Sequence, residues 1–169
     1  MLTSRPSERR PAPRPPRRAG GNRQAAVVLL VEDDVGDQIL IQEALQSTPG
    51  PKRIEMVGDG EEALEYLYRQ GRYSDPVLAP RPDLILLDLN MPRLGGREVA
   101  ARLKGDPAMR SIPIVAFTTS CREEDVAYCY AVGVNSYIQK PTDFDRLQAV
   151  LELLERYWLE TSLRLPGMS

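Results

Sequence analysis

Residues 83–92 read Asp-Leu-Ile-Leu-Leu-Asp-Leu-Asn-Met-Pro, and this stretch limits the fold most tightly. Residues 84–87 are too short and too uniformly apolar for anything but a buried strand or a piece of a buried helix. Asp88 follows at once, and Pro92 blocks continuation of a regular element. A carboxylate at the mouth of a buried strand is costly, because desolvation disfavours its charge. A chain that keeps one there must gather compensating groups around it.

Four other short runs share this pattern. Residues 27–31 end in Glu32-Asp33-Asp34, residues 54–57 in Gly58-Asp59-Gly60, residues 112–117 in Thr118-Thr119-Ser120, and residues 136–139 in Lys140-Pro141. Helical patterns fill the intervals. Asp33 or Asp34 caps a first helix with Ile39, Leu40, Ala44 and Leu45 on one side, stopped by Thr48-Pro49-Gly50-Pro51. A second helix buries Ala63, Leu64 and Leu67 and frays near Gly71. Residues 71–82 form a proline-containing connection long enough to be a surface insertion. A third helix runs from Gly95-Gly96 to about Lys104, and a fourth from Arg122 to Val132. The fifth is capped by Thr142 or Asp143. Largely apolar strands that alternate with helices predict an α/β fold: a doubly wound five-stranded parallel sheet with five helices, in which strands one, three, four and five are neighbours if the order is 2-1-3-4-5.

Composition narrows the chemistry. The chain has no histidine, which removes Ser-His-Asp and Cys-His catalysis, histidine zinc sites and a phosphohistidine donor of its own. Residues 1–24 carry seven arginines and one glutamate, a net charge of +6, leaving −8 on the remainder. This Pro/Arg-rich segment reads as a disordered tail, without the aromatic interleaving of a nucleic-acid-binding arm. No apolar run approaches membrane-spanning length, so a cytoplasmic protein is expected. Cys121 and Cys129, read as lying on one helix, are too far apart along it for a disulfide and are expected as buried or half-buried free thiols.

In an open parallel sheet, ligands gather at the carboxyl ends of the strands. Those ends supply Glu32 and Asp33, Asp88, Thr118 and Lys140. Three carboxylates in one pocket repel, so some protonate or a cation enters. Oxygen ligands alone suit Mg²⁺. Lys140 and Thr118 supply a point charge and a hydroxyl donor apt for phosphoryl oxygens. A carboxylate beside Mg²⁺ can act as a nucleophile towards an activated phosphoryl group.

Val31-Glu32-Asp33-Asp34, Asp83 to Asp88, Met91-Pro92, Thr118 and Lys140-Pro141 together resemble the receiver domains of two-component response regulators. The resemblance implies a flavodoxin-like fold, with the receiver at 25–157, a tail at 1–24 and a C-terminal extension at 158–169. It implies Asp88 as acceptor of phosphate from a sensor histidine kinase. Asp33, Asp88 and the Asn90 carbonyl would hold Mg²⁺ directly, with Glu32 acting through water. Lys140 and Thr118 would hold the phosphoryl group, a cis peptide would precede Pro141, and Tyr137 would be an aromatic switch coupled to Thr118. Gly95 departs from the pattern, since many receivers carry Asp there.

Asn90-Met91-Pro92-Arg93, Thr118-Thr119-Ser120, residues 133–137 and Tyr157-Trp158-Leu159 further resemble single-domain regulators paired with phytochrome-type histidine kinases. That likeness implies a homodimer on the fourth-helix, fifth-strand and fifth-helix face. The last helix carries one apolar stripe of Phe144, Leu147, Leu151, Leu154 and Trp158. A second stripe of Val150, Leu153 and Tyr157, with Trp158, is expected as a partner surface. Three other functions compete: a receiver-shaped interaction module that is never phosphorylated, an aspartate-nucleophile phosphatase, and a nucleic-acid binder using the arginine tail, which the acidic body disfavours. The phosphatase ordinarily wants an acid two residues past the nucleophile, where this chain has Asn90.

Overall fold

Every apolar run becomes a strand and every interval a helix in a computed structural model, which describes residues 25–162. The expected tail at 1–24 and residues 163–169 lie outside the described residues. The order is β1 Ala26–Val31, α1 Val35–Ser47, β2 Lys52–Val57, α2 Gly60–Leu67, β3 Leu84–Leu87, α3 Gly96–Gly105, β4 Ile114–Thr118, α4 Glu123–Val132, β5 Ser136–Gln139 and α5 Phe144–Glu155. A 3₁₀ turn at Gly71–Tyr73 lies in the insertion, and a π-helical segment, Arg156–Thr161, continues α5 across the expected boundary at 157. The strands form one parallel sheet in the order β2-β1-β3-β4-β5, as expected.

Side chains alternate across a strand, so each central strand feeds two cores. Leu29, Val31, Ile85, Leu87, Ile114 and Ala116 pack with α2, α3 and α4 on one face. Val28, Leu30, Leu84, Leu86, Val115 and Phe117 pack with α1 and α5 on the other. The edge strand β2 carries Lys52, Arg53 and Glu55. Arg53 donates to the carbonyls of Val77 (2.9 Å) and Leu78 (3.1 Å), tying the insertion to the sheet edge.

Several expectations are corrected. Ile39 and Leu40 of α1 are 58% and 45% exposed, because Ile41, Ala44 and Leu45 set the inward face; at about 100° per residue Ile39 lies roughly opposite Ile41. In α2, Tyr66 is buried and Leu64 only half-buried, since the Tyr66 hydroxyl can donate to the Pro80 carbonyl (2.8 Å) beneath the insertion. Strand β4 begins at Ile114 rather than 112, because Pro113 has no N–H to give a ladder. Cys121 precedes α4 and is exposed, whereas Cys129 is buried on it; both are free thiols.

Candidate functional site

Parallel register brings the strand ends together. Val31 pairs with Leu87 across β1 and β3, so Glu32 and Asp88 emerge side by side. The Asp88 amide continues the ladder by donating to the Val31 carbonyl (2.9 Å). Thr118 pairs with Gln139 across β4 and β5, and the Lys140 amide donates to the Thr118 carbonyl (2.8 Å). Gly96 lets α3 start directly beneath this mouth: a Cβ there would overlap the Asp88 carbonyl oxygen and the Leu89 Cα.

Lys140 is the hub. Its ammonium donates to Asp88 (2.8 Å), to Asp37 (2.8 Å) and to Glu32. Burial alone would raise the Asp88 carboxyl pKa, but donors from Lys140, the Asn90 amide (3.0 Å) and the Thr118 hydroxyl outweigh it and leave Asp88 below the usual carboxylate range. Burial would likewise lower Lys140, and its three carboxylate partners reverse that and hold it protonated. Glu32, fully buried, is pushed upward by desolvation despite the same lysine. The site therefore presents an ionised Asp88 beside a fixed positive charge.

Oxygens of Glu32, Asp33 and Asp88 lie within 4.8 Å of one another, with Asp33 exposed and the other two buried. Hard oxygen donors with no sulfur or nitrogen fit Mg²⁺. Asn90 sits at the rim, its side-chain amide 3.3 Å from the Thr118 hydroxyl oxygen. No peptide bond among the described residues is cis, so the bond before Pro141 differs from the expectation; the two isomers of an X–Pro bond differ by only about 0.5–1 kcal/mol.

A family model for the response regulator receiver domain matches residues 28–152. The chain belongs to the response regulator receiver family. It is similar to the response regulator Rcp1 of Synechocystis sp., 42% identical over 135 residues, which covers 80% of this chain and 90% of Rcp1. Among solved structures it resembles the phosphorylated cyanobacterial phytochrome response regulator RcpA, with a TM-score of 0.78 and 42% identity over 85% of this chain and 100% of that one. The Mn²⁺-bound form of Rcp1 is also similar, with a TM-score of 0.75 and 41% identity over 84% of this chain and 99% of that one. Receiver domains bind Mg²⁺ through acidic residues, and response regulators are signalling proteins that partner sensor histidine kinases. No helix among the described residues is long and apolar enough to cross a membrane.

Two parts of the receiver site escaped the sequence reading. Asp37, in the first turn of α1, reaches Lys140. Asp125 of α4 is buried, accepting from Ser120 Oγ (2.6 Å) and pairing with Arg97 of α3 (3.1 Å). Arg97 also stacks over the Tyr128 ring at 4.1 Å. These contacts hold the loop after Thr118, and the half-buried Tyr137 donates its hydroxyl to the Ser120 carbonyl (3.1 Å) in the same loop. An acid in the first turn of a helix reads from sequence as ordinary end-charge complementarity, which hid both.

The partner stripe divides. Leu153 and Tyr157 are 66% and 57% exposed, whereas Val150 and Trp158 are partly buried against the α1/α5 core and serve packing. Gly95 caps α3 without a side-chain acceptor, so its departure from the family pattern costs that helix one cap bond.

Proposed function

We propose that this response regulator accepts a phosphoryl group on Asp88 from the phosphohistidine of a phytochrome-type sensor histidine kinase, in a Mg²⁺-dependent reaction. The carrying observation is the ionised Asp88 held 2.8 Å from a Lys140 ammonium at the mouth of a three-acid cluster. An Asp88 oxygen attacks phosphorus in line; the O–P bond forms as the P–N bond breaks, and its electron pair stays on the partner's imidazole. Lys140 and Thr118 then hold the phosphoryl oxygens. Asp33, Asp88, the Asn90 carbonyl and, through water, Glu32 would hold Mg²⁺, which would supply positive charge to offset that of the carboxylates and phosphoryl oxygens.

Thr118 is drawn towards the phosphoryl group, and Tyr137, tethered one loop away at Ser120, follows inward. Output passes to a partner or a second copy over the α4, β5 and α5 face, and exposed apolar groups on these elements and the segment after α5 include Tyr130, Leu153 and Tyr157. The protein works in the cytoplasm. The likeness to RcpA, whose description names a phytochrome response regulator, supports the choice of kinase.

Phosphotransfer kinetics test the pairing. A phytochrome-type kinase should label this protein with a kcat/KM about a hundredfold above that of an unrelated histidine kinase, since specificity is a difference of affinities. Equal values would remove the phytochrome assignment. Light scattering with and without a phosphoryl donor tests the homodimer, which a strictly monomeric species under both conditions would overturn.

A further inference from the structure

We infer that Asp37 is a positioning residue for Lys140, keeping the ammonium in place when Glu32 and Asp88 turn to a metal ion. The inference rests on the phosphoacceptor reading of the site. An ammonium has three protons to donate, and here three carboxylates take them: Glu32, Asp88 and Asp37. Two of these acceptors belong to the acid cluster with Asp33, whose oxygens lie within 4.8 Å of one another; Asp37 does not. Asp37 is therefore the one partner that Lys140 need not share with the cation.

Local structure fixes Asp37 for this task. Asp34 caps α1 by accepting from the Asp37 amide (2.8 Å), which locks the first helical turn. The next residue, Gln38, donates to the Glu32 carbonyl (2.6 Å) and ties that turn to the end of β1. Asp37 lies in the first turn of α1. Its side chain is 37% exposed while that of Lys140 is 6%, so Asp37 stands between the lysine and water. With Asp37 gone, the ammonium keeps only partners that the metal also needs. It then competes with the cation and loses its anchor once the cation wins.

The test compares the full-length protein with Asp37→Asn, Asp37→Glu and, as a control for charge on the same helix, Glu43→Gln. Calorimetric titration with MgCl₂ reads the first consequence without any phosphorylation. Asp37→Asn should raise the Mg²⁺ Kd about fivefold, Asp37→Glu should recover most of the loss, and Glu43→Gln should match wild type. With acetyl phosphate as donor, Asp37→Asn should lower the maximal labelling rate about tenfold and leave the half-saturating donor concentration unchanged, the mark of a group acting in the transition state. If Asp37→Asn behaves as Glu43→Gln in the Mg²⁺ titration, Asp37 is a surface acid and the inference is overturned. If wild type takes no phosphoryl group, the phosphoacceptor reading fails, and the titration still decides the role of Asp37.

Discussion

The Lys140 ammonium lies 2.8 Å from an Asp88 carboxylate oxygen, with the two side chains only 6% and 7% exposed. Removing one partner of a buried pair leaves the other charge uncompensated, at a cost of about 3–5 kcal/mol. Lys140→Met should therefore lose about 3 kcal/mol of stability in Mg²⁺-free buffer, and added Mg²⁺ should restore more of it than it adds to wild type. Urea denaturation with chelator and with Mg²⁺ checks both parts. A loss indifferent to Mg²⁺ would mean that the three acids do not share a cation.

A second buried pair stands at the opposite end of the sheet. Lys52 of β2 lies 2.9 Å from Glu155 of α5, both side chains under a tenth exposed, and Thr48 at the end of α1 donates to the same carboxylate. Lys52 also donates to the Leu45 carbonyl (2.7 Å), so the cluster joins α1, β2 and α5. Glu155→Ala should destabilise by about 3 kcal/mol, and the double variant with Lys52→Met by less than the sum of the two single changes. Phosphoryl acceptance should persist in both, read under conditions where they are folded.

The two thiols should separate by reactivity. Cys129 is fully buried, and desolvation followed by the nearby Asp125 charge raises its pKa. Cys121 is exposed. A thiol reagent should modify one cysteine rapidly in the native protein and the second only on unfolding. Rapid modification of both at neutral pH would contradict the packing of α4.

Lys104 provides a pH signature. Burial pushes its ammonium from 10.5 down to about 8, while it donates to the Ile112 carbonyl (2.8 Å) and the Asn135 side chain (2.8 Å). A lysine depressed in the folded state binds fewer protons there than in the unfolded chain between those two values, so stability rises with pH across that window. Relative to Lys104→Met, wild type should gain about 1 kcal/mol between pH 7 and pH 9.5, after discounting for water at the partly exposed side chain. Denaturant midpoints at the two pH values measure it, and a gain in the opposite direction would refute the assignment.

The sheet was legible in the sequence because buried parallel strands leave an unmistakable trace: residues 84–87 and 27–31 have no polar face. The site followed from the same trace, since the residue after each run had to stand at the ligand-binding edge. What the sequence concealed depends on rotation and reach. Ile39 and Ile41 are equally apolar, and only packing against the sheet selects which faces inward. Asp37 and Asp125 sit in first helical turns where acids are common, so nothing local marks one as a partner of Lys140 and the other as a partner of Arg97. Val150 and Trp158 pack against the core rather than stand on the surface, because α5 continues into Arg156–Thr161 and both residues fall on its inner side.

Asp88 is the proposed phosphoryl acceptor, and intact mass spectrometry tests that role most directly. Incubated with Mg²⁺ and acetyl phosphate, or with a phosphorylated kinase, the protein should gain one phosphoryl group per chain, with little gain when Mg²⁺ is chelated and none in Asp88→Asn. Absence of any adduct in wild type with either donor, short-lived species trapped, would contradict the account; an undiminished adduct in Asp88→Asn would place the acceptor elsewhere.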